Sequence, residues 1–134
     1  MDSPPSNVLP IQTESDIVLV RQQVRLQVVA LGFGLVDQTK MITAASELAR
    51  NTLIYGGGGT ARFEILRMGV RVGLRVTFED QGPGIPDIEM ALRDGYTTGH
   101  GLGLGLSGAR RLVNEFAIDS QVGVGTRVSV TKWK

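Results

Sequence analysis

A two-layer α+β sandwich is what this sequence predicts, and three observations lead there. Strand-like segments come in adjacent pairs, 60–68 with 70–79 and 117–122 with 126–133, so hairpins are expected. Helical segments also come in pairs, so the predicted order is β-α-α-β-β-α-α-β-β rather than an alternating βαβ array. The chain has 134 residues, 42% of them hydrophobic, which suits one soluble domain with one sizeable core.

Residues 1–7 are polar and Pro-rich and are expected to form a flexible tail, leaving 8–134 as the domain. With no basic start and no apolar run, the tail does not read as a signal peptide. Val8 to Thr13 has the length of a short strand. Ser15 is placed to cap a helix from Asp16 to Leu31, with an apolar stripe of Ile17, Val20, Val24, Val28 and Leu31 and a stop at Gly32. Phe33 to Val36 connect to a second helix, capped by Asp37 and running to Tyr55, where four consecutive glycines end it. Its apolar arc is Met41, Ile42, Ala45, Leu48, Ala49, Leu53 and Tyr55.

The second strand of the first hairpin alternates: Val70, Val72, Leu74, Val76 and Phe78 are apolar, while Arg71, Gly73, Arg75, Thr77 and Glu79 lie between them. A strand has a side-chain period of two, so the even positions share the buried face. Asp80 is even and therefore points inward, just before the chain turns through Gly82-Pro83-Gly84. An unpaired buried carboxylate is costly, so Asp80 needs a hydrogen-bond donor, and none is obvious nearby in sequence. A bound ligand is the expected donor; taken alone, the stretch also fits an Asx-turn. Beyond it, Asp87 to Arg93 reads as a short helix, 94–103 as a Gly-rich loop and Gly105 to Phe116 as a further helix.

Composition narrows the function. Fourteen basic against thirteen acidic residues give a net charge of +1, which carries no electrostatic footprint for nucleic acid. The absence of cysteine rules out disulfides, thiolate metal sites and Cys nucleophiles, and is compatible with a reducing cytoplasm. No apolar run approaches a membrane span.

Two further constellations accompany Asp80. Glu47 and Asn51 lie outside the apolar arc and are four residues apart, so they project to one side of the helix. An amide oxygen is a hard ligand suited to magnesium, and a carboxylate can take a proton from an attacking hydroxyl. A Glu/Asn pair alone reads more readily as a solvated helix face. Gly99-His100-Gly101-Leu102-Gly103-Leu104-Gly105-Leu106 runs into a helix, and alternating glycines before a helix N-terminus let backbone N–H groups approach a phosphate. It lacks the Gly-Lys-Ser/Thr ending of a P-loop, and by itself it fits a flexible hinge equally well.

In order as well as content, these features resemble the GHKL ATP-binding family, which includes gyrase, Hsp90, histidine-kinase and MutL-type ATPases. Glu47 to Asn51 is similar to the N box, Asp80 to Gly84 to the G1 box, Gly101 to Leu106 to the G2 box, and Gly125-Thr126 to the final Gly-Thr element. The resemblance implies the GHKL (Bergerat) form of the sandwich with ATP and Mg²⁺ as cofactors. It implies that Asp80 accepts from the adenine amino group, beside Gly82, Gly84, Ile85 and Thr126. It also implies that Asn51 holds magnesium, that Glu47 is the general base, and that Gly99, His100, Gly101, Leu102, Gly103, Leu104, Gly105 and Leu106 wrap the phosphates.

A narrower resemblance runs from Leu31-Gly32-Phe33-Gly34 to Lys132-Trp133, by way of Val36-Asp37-Gln38, Glu79 to Ile88, Asp94-Gly95-Tyr96-Thr97-Thr98 and Arg111-Leu112. Across nearly all of the chain beyond its tail it is similar to the RsbT-type switch kinases of the stressosome. That implies phosphorylation of Ser or Thr on STAS-domain proteins and, on release, binding and activation of a PP2C-type phosphatase in the cytoplasm. The rivals are an anti-sigma factor kinase of the SpoIIAB or RsbW type, a nucleotide-binding interaction module, and a detached histidine-kinase catalytic domain. The lone His100 lies among glycines rather than on an acceptor helix, which argues against the last. Trp133 is expected to pack at a strand end. For Arg110 and Arg111, a solvated helix face is the expected setting, with a phosphate or partner contact as the alternative.

Overall fold

The computed structural model describes residues 7–93 and 104–134. The elements are β1 (Asn7–Ile11), α1 (Glu14–Ala30), α2 (Leu35–Ile54), β2 (Gly59–Met68), β3 (Arg71–Asp80), α3 (Ile88–Ala91), α4 (Leu104–Leu112), β4 (Glu115–Gln121) and β5 (Gly125–Trp133). The five strands form one antiparallel sheet in the order β1-β2-β3-β5-β4. This is the expected order of elements, and the α+β sandwich is borne out.

The boundaries moved where side chains outbid simple patterning. Asn7, expected in the tail, pairs with Phe63 and opens β1. α1 is capped by Thr13, not Ser15: Thr13 and Asp16 form a reciprocal capping box, with the Asp16 carboxylate accepting the Thr13 N–H at 3.1 Å. α2 starts at Leu35 behind Gly34, and Asp37 is not its cap. Asp37 instead sits in the first turn and pairs with Lys132 Nζ at 3.5 Å. α4 ends at Leu112, four residues short of Phe116. There Asn114 donates its N–H to Thr131 O at 3.0 Å and accepts the Trp133 N–H at 2.7 Å, drawing the chain into the sheet.

The core lies between the sheet and the helices. α1 contributes Ile17, Val20, Val24 and Val28, and α2 contributes Met41, Ala44, Ala45, Leu48 and Ala49. From the sheet come Ala61, Phe63, Leu74, Val76, Phe78, Val128 and Val130, the alternate residues of β2, β3 and β5. Small residues on α2 let it lie close to the sheet, and that close approach places its last turns over the ends of β3 and β5. Trp133 ends β5 as expected: its indole N–H donates to Glu115 at 2.7 Å, and Arg71 stacks 4.5 Å above its ring.

Candidate nucleotide-binding site

Sheet register builds the floor of the site. Asp80 stands opposite Gly59 on β2 and Thr126 on β5, and Thr126 stands opposite Ser120 on β4. Asp80 follows the buried Leu74, Val76 and Phe78 in phase, and Thr126 precedes the buried Val128 and Val130. Both therefore project to the helix side, where the end of α2 passes above them. Between them is a cleft with about 560 Å³ of empty space, open mouth included. Leu48, Asn51, Thr52, Tyr55 and Gly56 line it from above, Phe78, Asp80, Thr126 and Val128 from the sheet, Pro83, Gly84 and Ile85 from the turn, and Leu106 from α4. An apolar slot with a few polar groups at one end suits a flat heteroaromatic ring.

Asp80 is only partly as the sequence suggested. It does face inward, and burial raises its carboxyl above the usual 3.8, with Glu79 adding to that push. It is not without protein donors, however. The Gly82 N–H donates to it at 2.9 Å, and Gly82 and Thr126 backbone hydrogen bonds work against the rise. The Gly82 bond is the Asx-turn that the sequence also allowed; the missed donor, Thr126, comes from a strand far away in sequence. A carboxylate has room for about four hydrogen bonds, so acceptor capacity remains for a ligand.

Asn51 lines the cleft, and its amide nitrogen is buried with no hydrogen-bond partner among the described residues. A buried amide without a partner is costly unless a ligand completes it. A half-turn of the amide presents its oxygen at the same place, so the position fits a metal ligand as well as a donor. Glu47 is one turn away on α2, half-buried, and does not line the cleft.

The turn glycines also have a packing reason. The resemblance places Gly82 and Gly84 beside a bound ligand. A Cβ on Gly82 would lie 2.7 Å from Gly56 Cα, and one on Gly84 would overlap the Gln121 carbonyl oxygen. Their first job is to let backbone pack on backbone. Gly84 also has φ +81°, a left-handed conformation that side chains disfavour. Gly84 reaches the cleft wall; Gly82 does not.

Ser120 is the residue that sequence reasoning missed. Its hydroxyl accepts the Ile85 N–H at 2.8 Å, reaches the Gly125 carbonyl at 3.2 Å and shares a 2.8 Å bond with Thr126 Oγ1. Together with the Gly123 N–H donating to Pro83 O at 2.8 Å, it ties the turn after β3 to the β4–β5 hairpin. Only its place two residues after Ile118, on the inward phase of β4, hinted at it. Of the other expected site residues, Ile85, Leu106 and Thr126 meet at the cleft. Leu104 and Gly105 begin α4, whereas Gly99, His100, Gly101, Leu102 and Gly103 lie outside the described residues. Arg110 and Arg111 are exposed on α4, and Arg110 reaches the Leu92 carbonyl at 3.5 Å.

The same architecture is found among known proteins. Residues 36–134 match the family of histidine kinase-, DNA gyrase B-, and HSP90-like ATPases. Serine/threonine-protein kinase RsbT of Bacillus subtilis is 48% identical over 123 residues, covering 92% of each chain. The anti-sigma F factor of Geobacillus stearothermophilus is 32% identical over 104 residues, covering 72% of this chain and 69% of that protein. In fold, the chain is similar to the RsbU and RsbW domains of a Mycobacterium tuberculosis protein, with a TM-score of 0.64 at 22% identity, over 96% of this chain and 32% of that one. The mycobacterial sensor histidine kinase MprB gives 0.58 at 16% identity, over 96% and 97% of the two chains. The chain thus belongs to the histidine kinase-, gyrase B- and HSP90-like (GHKL) ATPases, as a serine/threonine-protein kinase of the RsbT type.

Proposed function

We propose that this kinase transfers the γ-phosphoryl group of MgATP to a Ser or Thr of a STAS-domain protein of the stressosome. On release it would bind and activate a PP2C-type phosphatase in the cytoplasm. The observation that carries the reading is the 48% identity to RsbT, maintained across 92% of both chains. No helix among the described residues is long and apolar enough to cross a membrane.

In this reading the parts of the reaction are divided between the cleft, the helix above it and the glycine-rich segment. Asp80 takes the adenine amino group on its remaining lone pairs, and the apolar walls Phe78, Ile85 and Val128 cover the ring. Asn51 lines the same space and its amide lacks a partner, so with the amide turned its oxygen would hold magnesium when nucleotide is bound. A magnesium ion held there would supply neutralisation of phosphate charge. The glycine-rich segment from Gly99 to Gly105 supplies backbone N–H groups to the phosphates. Glu47, one helical turn from Asn51 and outside the cleft wall, takes the proton of the substrate hydroxyl. Phosphoryl transfer depends mainly on positioning and charge, which suits a site without a nucleophile.

The five anti-sigma F factor matches, at 31–32% identity, favour one other reading, in which a sigma factor is the main partner. Both readings are tested by incubating the protein with MgATP and purified STAS domains, then locating phosphate by mass spectrometry, with sigma-factor binding measured in parallel. The expected result is a single phosphorylated Ser or Thr on a STAS domain, slowed by about 10²–10⁴ in Glu47→Gln while MgATP binding persists. Wild-type transfer rates in Glu47→Gln would remove Glu47 as the base. Tight sigma-factor binding without STAS phosphorylation would replace this reading with its rival.

A further inference from the structure

Ser120 has a single proton to share among three neighbours, and that fixes the direction of each bond around it. A hydroxyl donates once and accepts twice. The Ile85 N–H, 2.8 Å away, can only donate. The Gly125 carbonyl, at 3.2 Å, can only accept. Ser120 therefore gives its proton to Gly125, and the 2.8 Å bond to Thr126 Oγ1 uses the proton of Thr126. Only this arrangement makes all three contacts hydrogen bonds, and it fills the capacity of Ser120 Oγ.

Thr126 stands opposite Ser120 in the β4–β5 ladder and lines the cleft. With its proton turned to Ser120, its oxygen has only lone pairs left for a ligand. The backbone donors around it are engaged as well. The Gly82 and Thr126 N–H groups serve Asp80, the Ile85 N–H serves Ser120, and the Gly123 N–H serves Pro83. Beside the Asp80 carboxylate, these groups leave acceptors facing the cleft and no donor. Adenine carries an amino group at C6, with two N–H donors, where hypoxanthine carries a carbonyl oxygen. A carbonyl set against acceptors has no partner, and leaving buried polar groups unpaired is costly.

We propose that Ser120 is a positioning residue that sets base selectivity: by holding the Thr126 proton it keeps Thr126 an acceptor and disfavours a base with a carbonyl at C6. This rests on the nucleotide reading of the cleft and adds to it a residue outside the cleft wall.

The test is calorimetric titration of MgATP and MgITP into the full chain at neutral pH. The wild type is expected to bind ITP about tenfold or more weakly than ATP. Ser120→Ala frees the Thr126 proton to turn toward the carbonyl, so the ratio of the two affinities should shrink severalfold. A merely structural role, in which the turn at Ile85 loosens, would weaken both nucleotides alike and leave the ratio unchanged. Ser120→Cys keeps the shape but offers a weak sulfur acceptor, so it should shift the ratio the same way without opening the turn. Because the effect passes through Thr126, adding Ser120→Ala to Thr126→Val should move the ratio no further. ATP binding with an unchanged ratio in both Ser120 variants would overturn the proposal and leave the nucleotide reading standing. So would equal affinities for ATP and ITP in the wild type, or a further shift in the double variant. A wild type that binds no ATP would overturn both.

Discussion

Asp80 carries two opposed demands. As an acceptor for a ligand it is useful ionised, yet burial raises its carboxyl above the usual 3.8. A raised folded-state value means that Asp80 contributes most to stability below the unfolded value, and that this contribution is lost as pH rises through the folded one. The ligand-free protein should therefore gain from Asp80→Asn as pH climbs from below 3.8 toward neutrality. The check is the melting-temperature difference between Asp80→Asn and wild type across that range. It should move in the variant's favour with rising pH; a difference constant with pH would contradict the burial argument. Asp80 was legible because strand phase alone turns it inward. The Gly82 donor was legible as an Asx-turn, but the Thr126 donor was not, since Thr126 lies 46 residues away and only sheet register brings it opposite. Asn51 was legible as half of a spaced pair, but its missing partner is a property of packing. Glu47 shows the limit of spacing: four residues apart puts two side chains on one face, not in one cleft.

Among the elements, the turn after β3 bears the tightest constraints. Gly84 combines φ +81° with a position where a Cβ would overlap the Gln121 backbone, which has no flexible end to move aside. Gly84→Ala should cost about 2 kcal/mol or more, as the sum of conformational strain and overpacking. Denaturant unfolding measures it, and an unchanged midpoint would show that the turn and hairpin are free to part. Alternation and helical spacing gave every element and its order, because burial on one face is written directly into local sequence. Helix starts were harder. Thr13 outcompeted Ser15 because its partner Asp16 lies three residues on and can return the bond. The early end of α4 depends on Asn114 meeting β5, a contact between segments 17 residues or more apart.

For the whole molecule, one sheet end gathers what the sequence scatters: α2 brings Asn51, β3 brings Asp80, and β5 brings Thr126, with Ser120 fastening the turn to the hairpin. The glycine-rich segment, which by itself reads equally as a phosphate cradle or a hinge, has its residues 99–103 outside the described part, so the structural case for the proposed nucleotide site rests on Asp80 and the cleft around it. That case stands on Asp80 serving a nucleotide. Calorimetric titration of MgATP into wild type and Asp80→Asn at neutral pH tests it most directly. The account predicts one site in the wild type and an affinity lower by about ten- to hundredfold in a folded Asp80→Asn, the loss expected for a buried hydrogen bond to a charged group. Equal affinities in the two proteins would contradict it.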